Sequence, residues 1–289
     1  VPLRKQPHQA QQGFVTFAQN NSDVDYLRLA YLQALNIKAT QKNNLYAVIV
    51  DESTEKQITE KYRQAFDYVI MLDHDQAESH QWKLQNEWQV FWLTPFKETI
   101  KLESDLLFTR SIDHWWTALQ KKELVLSTGC RNYQGQLSPS RRYRRVFDEN
   151  YLPDVYNGLM YFRFSKTATD FFKLARSIFE NWETVRDQSL INCRDAIATT
   201  DIVYGITSAL IGTELTTMPS LDFMNFVHMK PGIQGWSDEQ PWSDHVMKEF
   251  DSGMIRINNI NQYHPFHYQD KKFATDEMID YYERIIGIN

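Results

Sequence analysis

Cysteine is scarce: the 289 residues hold two, Cys130 and Cys193, far apart in sequence. That argues against a disulfide scaffold and suits a reducing compartment. Long apolar runs are missing too, and none approaches the ~20 residues of a membrane-spanning helix. No signal peptide is visible in a chain that opens at Val1, so a cytoplasmic location is expected. Positive charge is in deficit, with 31 Lys and Arg against 37 Asp and Glu and a net charge of −6. That balance leaves no global footprint for nucleic acid. There is no internal repeat and no low-complexity tract.

What is present supports a large core. Hydrophobic residues make up 42% of the chain and aromatics 14%, enough for one large domain or two small ones. Residues 1 to 12 are polar and read as a loose arm. Gly13 to Ala18 reads as a buried strand, and Gln19 to Asp23 carries loop and helix-cap chemistry. A helix follows, with Tyr26, Leu29, Ala30, Ala34, Leu35 and Ile37 at helical spacing. Tyr46 to Val50 is a second strand, Ile58 to Phe66 a second helix, and Asp67 to Leu72 a third strand. This β-α-β-α-β order predicts an α/β fold with a mainly parallel central sheet flanked by helices.

The chemistry concentrates in Trp82 to Phe108. Glu98 to Phe108 has the pattern of a buried strand, broken at Glu103-Ser104-Asp105. Carboxylates at i and i+2 on a strand project to the same side. At a strand end both can turn toward one hard cation, which takes oxygen ligands and can bridge a diphosphate. The alternative is a surface acidic pair, common at strand ends. Asp73-His74-Asp75 also follows an apolar strand and is the second candidate for a metal site.

With its upstream context the stretch resembles the metal-binding segment of GT-A glycosyltransferases, closest to the glycogenin-like family (family eight). That family places a Lys-Leu helix and a turn ahead of the strand that leads into Asp-x-Asp. Here the helix is Trp82 to Trp88, the turn Thr94 to Thr99 and the strand Ile100 to Leu102. Glu103 stands where the family usually has Asp. The family's first strand ends in Thr-x-x-Asn/Asp, and a Tyr opening the next helix stacks on the uracil of the donor. Thr16, Ala18, Asn20 and Tyr26 match it, with Lys38 continuing the helix. The bland reading of Tyr26 is a core tyrosine at a helix start.

Later elements fit the resemblance more loosely. Asn157-Gly158 is similar to the family's Asn-x-Gly strand, whose Asn faces the donor sugar. For the family's Asp-Gln-Asp element, Asp187 to Asn192 matches by letters and Asp201 by order; Asp201 is preferred, and an ordinary helix N-cap would also explain it. The family's closing His completes the metal site and its Lys holds diphosphate. His267 with Lys271 and His228 with Lys230 both fit that description.

The resemblance implies a single GT-A domain over residues 13 to 289, with a nucleotide-binding half at about 13 to 108 and an acceptor-side half at about 109 to 289. It implies a nucleotide-sugar donor (UDP-linked in this family), a divalent cation (Mn²⁺ or Mg²⁺), transfer with retention, and Lys83 beside the diphosphate. Arg131 to Tyr151 reads as a long polar loop carrying Arg141, Arg142, Arg144 and Arg145, a local positive excess suited to an anionic acceptor. A glycan, a lipid-linked acceptor or DNA with hydroxylated bases would fit, and a solvated charged loop is the bland alternative. A catalytically silent nucleotide-sugar-binding module is the competing class, because fold does not fix function.

Overall fold

The structure, a computed structural model, describes residues 9–77, 83–138, 144–218, 224–236 and 240–288. Seven strands come first: β1 (Ala10–Ala18), β2 (Tyr46–Val50), β3 (Tyr68–Met71), β4 (Phe96–Leu102), β5 (Leu106–Leu107), β6 (Leu124–Thr128) and β7 (Val155–Arg163). Six of them form the central sheet, in the order β3-β2-β1-β4-β7-β6. β1 runs parallel to β2 and β4, and β2 parallel to β3. β7 is antiparallel to both neighbours, so it alone runs against the rest.

The strands are apolar because both faces of the sheet are covered. Side chains alternate faces along each strand. Phe14, Tyr46, Val48 and Val50 pack toward the helices Tyr26–Thr40 and Asp276–Ile286. Val15, Ala47 and Ile49 pack toward the helices Lys166–Glu180 and Thr200–Ile211. The second layer is dense in aromatics: Phe172 lies 5.0 Å from Phe162 and 5.3 Å from Phe91, ring centre to ring centre.

Several boundaries differ from the expectations. β1 starts at Ala10, inside the expected loose arm, and the Nε2 groups of Gln11 and Gln12 both donate to Glu98 at 2.8 Å. The helices Lys166–Glu180 and Trp182–Ser189 are separated only by Asn181, whose φ of −120° leaves the helical range. The expected loop Arg131 to Tyr151 contains a short helix, Arg145–Glu149.

The C-terminal part adds β8 (Val227–His228), the meander β9 (Lys248–Asp251), β10 (Met254–Ile257) and β11 (Ile260–Asn261), and β12 (Phe266–His267). β12 pairs antiparallel with β5 and parallel with β8. This small sheet sets His267 opposite Leu106 and beside His228. His267, 162 positions downstream of Asp105, thus arrives next to the acidic turn, a placement that local sequence pattern does not encode.

Candidate active site

Strands β2 and β3 lie on one side of β1, and β4, β7 and β6 on the other. Ligands of open α/β sheets bind outside the carboxyl ends of the strands where the order reverses, here between β1 and β4. Thr16 marks the seam: its Oγ1 donates to the Leu102 carbonyl at 2.9 Å. Beyond it opens a crevice of about 320 Å³, with Thr16, Tyr26, Asp105, Asp201, His267 and Lys271 among its walls.

β4 ends at Leu102, and the chain turns tightly through Glu103-Ser104-Asp105, closed by Leu106 N–H donating to Glu103 O at 3.2 Å. His267 Nε2 lies 3.1 Å from Glu103 Oε2 and 3.0 Å from Asp105 Oδ1. One ligand atom from each of these three residues lies within 4.8 Å of the other two, and no other such group forms among the described residues. Two carboxylates and an imidazole are a donor set that Mn²⁺ or Mg²⁺ would accept. The residues therefore fit the expected cation.

Charge in this cluster is tightly balanced. Burial alone would raise the Asp105 carboxyl, but His267 and an ion pair with Lys271 Nζ hold it well below the usual range. Burial raises Glu103, and Asp105 adds to that, against the opposing pull of His267. Burial works to lower the pKa of His267 and Lys271, yet their acidic neighbours carry both upward. His228 stacks flat on His267 at 4.4 Å, and burial together with that neighbour pushes its pKa well below the usual imidazole value. Gly158 faces the cluster. A Cβ there would lie 3.2 Å from Phe226 and 3.5 Å from both Glu103 Oε2 and His267 Nδ1. Only glycine lets β7 approach this closely without displacing a neighbour.

A second network stands beside the first. Asp201, in the first turn of its helix, accepts the Asn157 backbone N–H at 2.7 Å and Arg144 Nη1 at 2.9 Å. Arg144 also donates to Asp154 at 2.9 Å and to the Val155 carbonyl at 2.5 Å. Its guanidinium lies between the Phe147 and Tyr156 rings, 3.6 and 4.0 Å from their centres. With 2% exposure, Arg144 is thus a buried cation and not the solvent-facing acceptor contact expected from the basic run. Arg145 is exposed and pairs with Glu149 one turn on. Arg131 donates to the Gly135 carbonyl. Arg141 and Arg142 lie outside the described residues.

The remaining candidates divide between the crevice and its supports. Tyr26 is on the wall, with Lys271 Nζ 5.6 Å from its ring centre. Lys83, Lys230 and His228 also line the crevice, and Lys83 Nζ donates to the Ala77 carbonyl at 2.8 Å. Ala18 is fully buried. Asn20 secures the helix start by accepting Leu27 N–H at 2.8 Å. Asn157 is 1% exposed, and its side chain is taken up by Lys101 and Glu103 instead of facing the crevice. Asp75, of the second metal candidate, accepts Asn86 Nδ2 at 2.8 Å and Ala77 N–H at 2.9 Å. Asp187 is a surface partner of Arg186.

Sequence reasoning passed over Lys101 and Glu87. Lys101 is fully buried in β4 and paired with Glu87, which lines the crevice. The available signal was a lysine between Ile100 and Leu102 in an otherwise buried strand.

No family model matches the sequence, and no curated protein matches it. Solved structures do share its fold. The galactosyltransferase LgtC, in complex with donor and acceptor sugar analogues, aligns at 14% identity over 95% of each chain with a TM-score of 0.52. An active-site mutant of LgtC aligns at 12% identity over 95% of each chain with a TM-score of 0.53. The chain accordingly has a GT-A fold with a mainly parallel central sheet.

Proposed function

We propose that the chain is a glycosyltransferase that moves a sugar from a UDP-linked donor to an acceptor, with a divalent cation held by Glu103, Asp105 and His267. The observation that carries this reading is the convergence of those three side chains with Lys271 at the carboxyl end of β4. The fold shared with LgtC, whose solved complex holds donor and acceptor sugar analogues, supports it.

The residues divide the work by chemistry. Tyr26 offers an aromatic face for the base at the mouth of the crevice. Lys271 presents a point charge beside Asp105, where a diphosphate would lie, and Lys83 and Lys230 add positive charge along the wall. A bound cation would supply Lewis-acid neutralisation of the leaving diphosphate. Asp201 keeps a partly exposed carboxylate on the crevice, fixed by Arg144 and the Asn157 backbone. From there it is placed to accept hydrogen bonds from donor-sugar hydroxyls or to stand on the reacting face. Retention at the anomeric carbon belongs to this proposal through the resemblance to the glycogenin-like family.

Nucleotide release from a panel of UDP-sugars, with and without Mn²⁺, tests the proposal. Asp105→Ala should abolish Mn²⁺-dependent release while the chain stays folded, and Asp75→Ala should leave it intact. The reverse pattern would move the metal site to Asp75. No release by the wild type from any donor, despite UDP binding, would favour a silent binding module.

A further inference from the structure

Beneath the acidic turn runs a buried polar chain that none of the roles above uses. Lys101 sits on β4 with no exposure, two residues before Glu103. Its Nζ forms an ion pair with Glu87 Oε2 and donates to Asn157 Oδ1 at 2.9 Å. Asn157 Nδ2 in turn donates to Glu103 Oε1 at 3.3 Å. Glu103 Oε2 is then the oxygen that faces His267.

The order of donors along this chain is forced. An ammonium has three donors and no acceptor, whereas an amide has one acceptor end and one donor end. Lys101 therefore fixes the Asn157 oxygen toward itself, which leaves only the amide nitrogen to face Glu103. Flipped, the amide would aim two donors at the ammonium and its oxygen at a carboxylate. Glutamate has one more rotatable bond than aspartate, so placing its carboxylate costs more conformational freedom. Anchoring one oxygen from beneath offsets that cost and leaves the other free for the cation.

We propose that Lys101 is a positioning residue for Glu103, acting through Asn157. The proposal rests on the reading of Glu103, Asp105 and His267 as a metal site. Partners that orient metal ligands are worth roughly 10–100-fold in metal affinity. The test is Mn²⁺ binding, with Mn²⁺ alone as the probe, followed by electron paramagnetic resonance in the full chain. Three proteins are compared: wild type, Glu103→Gln, and Lys101→Met combined with Glu87→Gln. The combined variant removes the buried ion pair as a unit, so neither charge is left alone.

The combined variant should weaken Mn²⁺ about tenfold or more, with UDP affinity in the absence of metal and the melting temperature close to wild type. Glu103→Gln should weaken Mn²⁺ at least as much. If Glu103→Gln loses Mn²⁺ and the combined variant does not, the metal reading stands and the role of Lys101 is refuted. If Mn²⁺ affinity, UDP affinity and melting temperature all fall together in the combined variant, Lys101 is structural only and the proposal fails. If Glu103→Gln binds Mn²⁺ as tightly as the wild type, or the wild type binds none, the reading of Glu103 as a metal ligand fails and this proposal falls with it.

Discussion

Arg144→Ala separates a structural cation from an acceptor contact. The wild-type guanidinium serves Asp154, Asp201 and the Val155 carbonyl and lies between two rings. Truncation takes the guanidinium away from two carboxylates and a carbonyl, of which Asp201 keeps the Asn157 N–H. Removing one partner of a buried ion pair costs about 3–5 kcal/mol. The Asp154 and Asp201 side chains keep 28% and 35% exposure, so water takes up part of the loss. The lower end, about 3 kcal/mol, is therefore the expectation, with the lost ring contacts included. At roughly 2 °C per kcal/mol for a chain of this size, the melting temperature should fall by about 6 °C. Arg144→Lys keeps the charge but not the fork, and should lose roughly half as much. Arg145→Ala should change stability by no more than about 0.5 kcal/mol, since its pair with Glu149 is exposed.

Circular-dichroism melts and urea titrations at neutral pH provide the assay. An acceptor-binding arginine would raise the acceptor KM at constant stability. If Arg144→Ala melts with the wild type and only the acceptor KM moves, the guanidinium is not holding Asp201 and the argument is wrong.

How much of this was legible in the sequence depends on how local each signal is. Strands β1 to β4 could be read because their apolar pattern is short-range. Glu103 and Asp105 lie two residues apart on one tight turn, so their pairing is local enough to read, although it is the turn and not strand alternation that brings them together. His267 was a choice between two histidines, and the register of β12 between β5 and β8 brings both to the crevice, stacked on one another. That register is long-range and leaves no local trace. Asp201 was preferred to Asp187 on order alone, and the structure sets Asp201 on the crevice wall and Asp187 on the surface.

The basic run shows where composition misleads. A cluster of arginines reads as one solvated face, because charge is normally outside. Arg144 departs from that rule because Phe147 and Tyr156, three and twelve residues on, form a slot around it, and Asp154 and Asp201 neutralise it. Lys101 departs in the same way inside a strand. Each buried cation is matched by a carboxylate distant in sequence, so neither could be separated from a surface charge before the fold was known.

Three further outcomes are expected. Tyr26→Ala should weaken UDP by about 1–2 kcal/mol in calorimetry, and unchanged affinity would remove Tyr26 from the base site. Gly158→Ala should keep the fold but weaken Mn²⁺ several-fold, because the new methyl presses Phe226 and fills the space in contact with the Glu103–His267 pair; unchanged Mn²⁺ affinity would show that Phe226 gives way without disturbing that pair. The last concerns Asp51, the cap of the short helix Glu52–Glu55. Its Oδ1 accepts Thr54 N–H at 2.8 Å and Ser53 Oγ at 2.9 Å, and its Oδ2 accepts Gln19 Nε2 at 3.2 Å. Burial pushes the carboxyl up, but these hydrogen bonds outweigh it and hold the folded value below the ordinary 3.8. A depressed carboxylate stabilises the fold above its unfolded pKa, and the contribution is lost as pH falls through the folded value. Asn caps a helix about as well as Asp does, so Asp51→Asn keeps the cap but loses one acceptor oxygen and the charge. Its cost at pH 7 should be about 1 kcal/mol, the scale of one hydrogen bond. Because the asparagine cannot titrate, the gap between wild type and variant should close as pH drops below about 4. Urea titrations from pH 7 to pH 3 measure it, and a gap that stays constant over that range would mean the Asp51 charge plays no part in its hydrogen bonds.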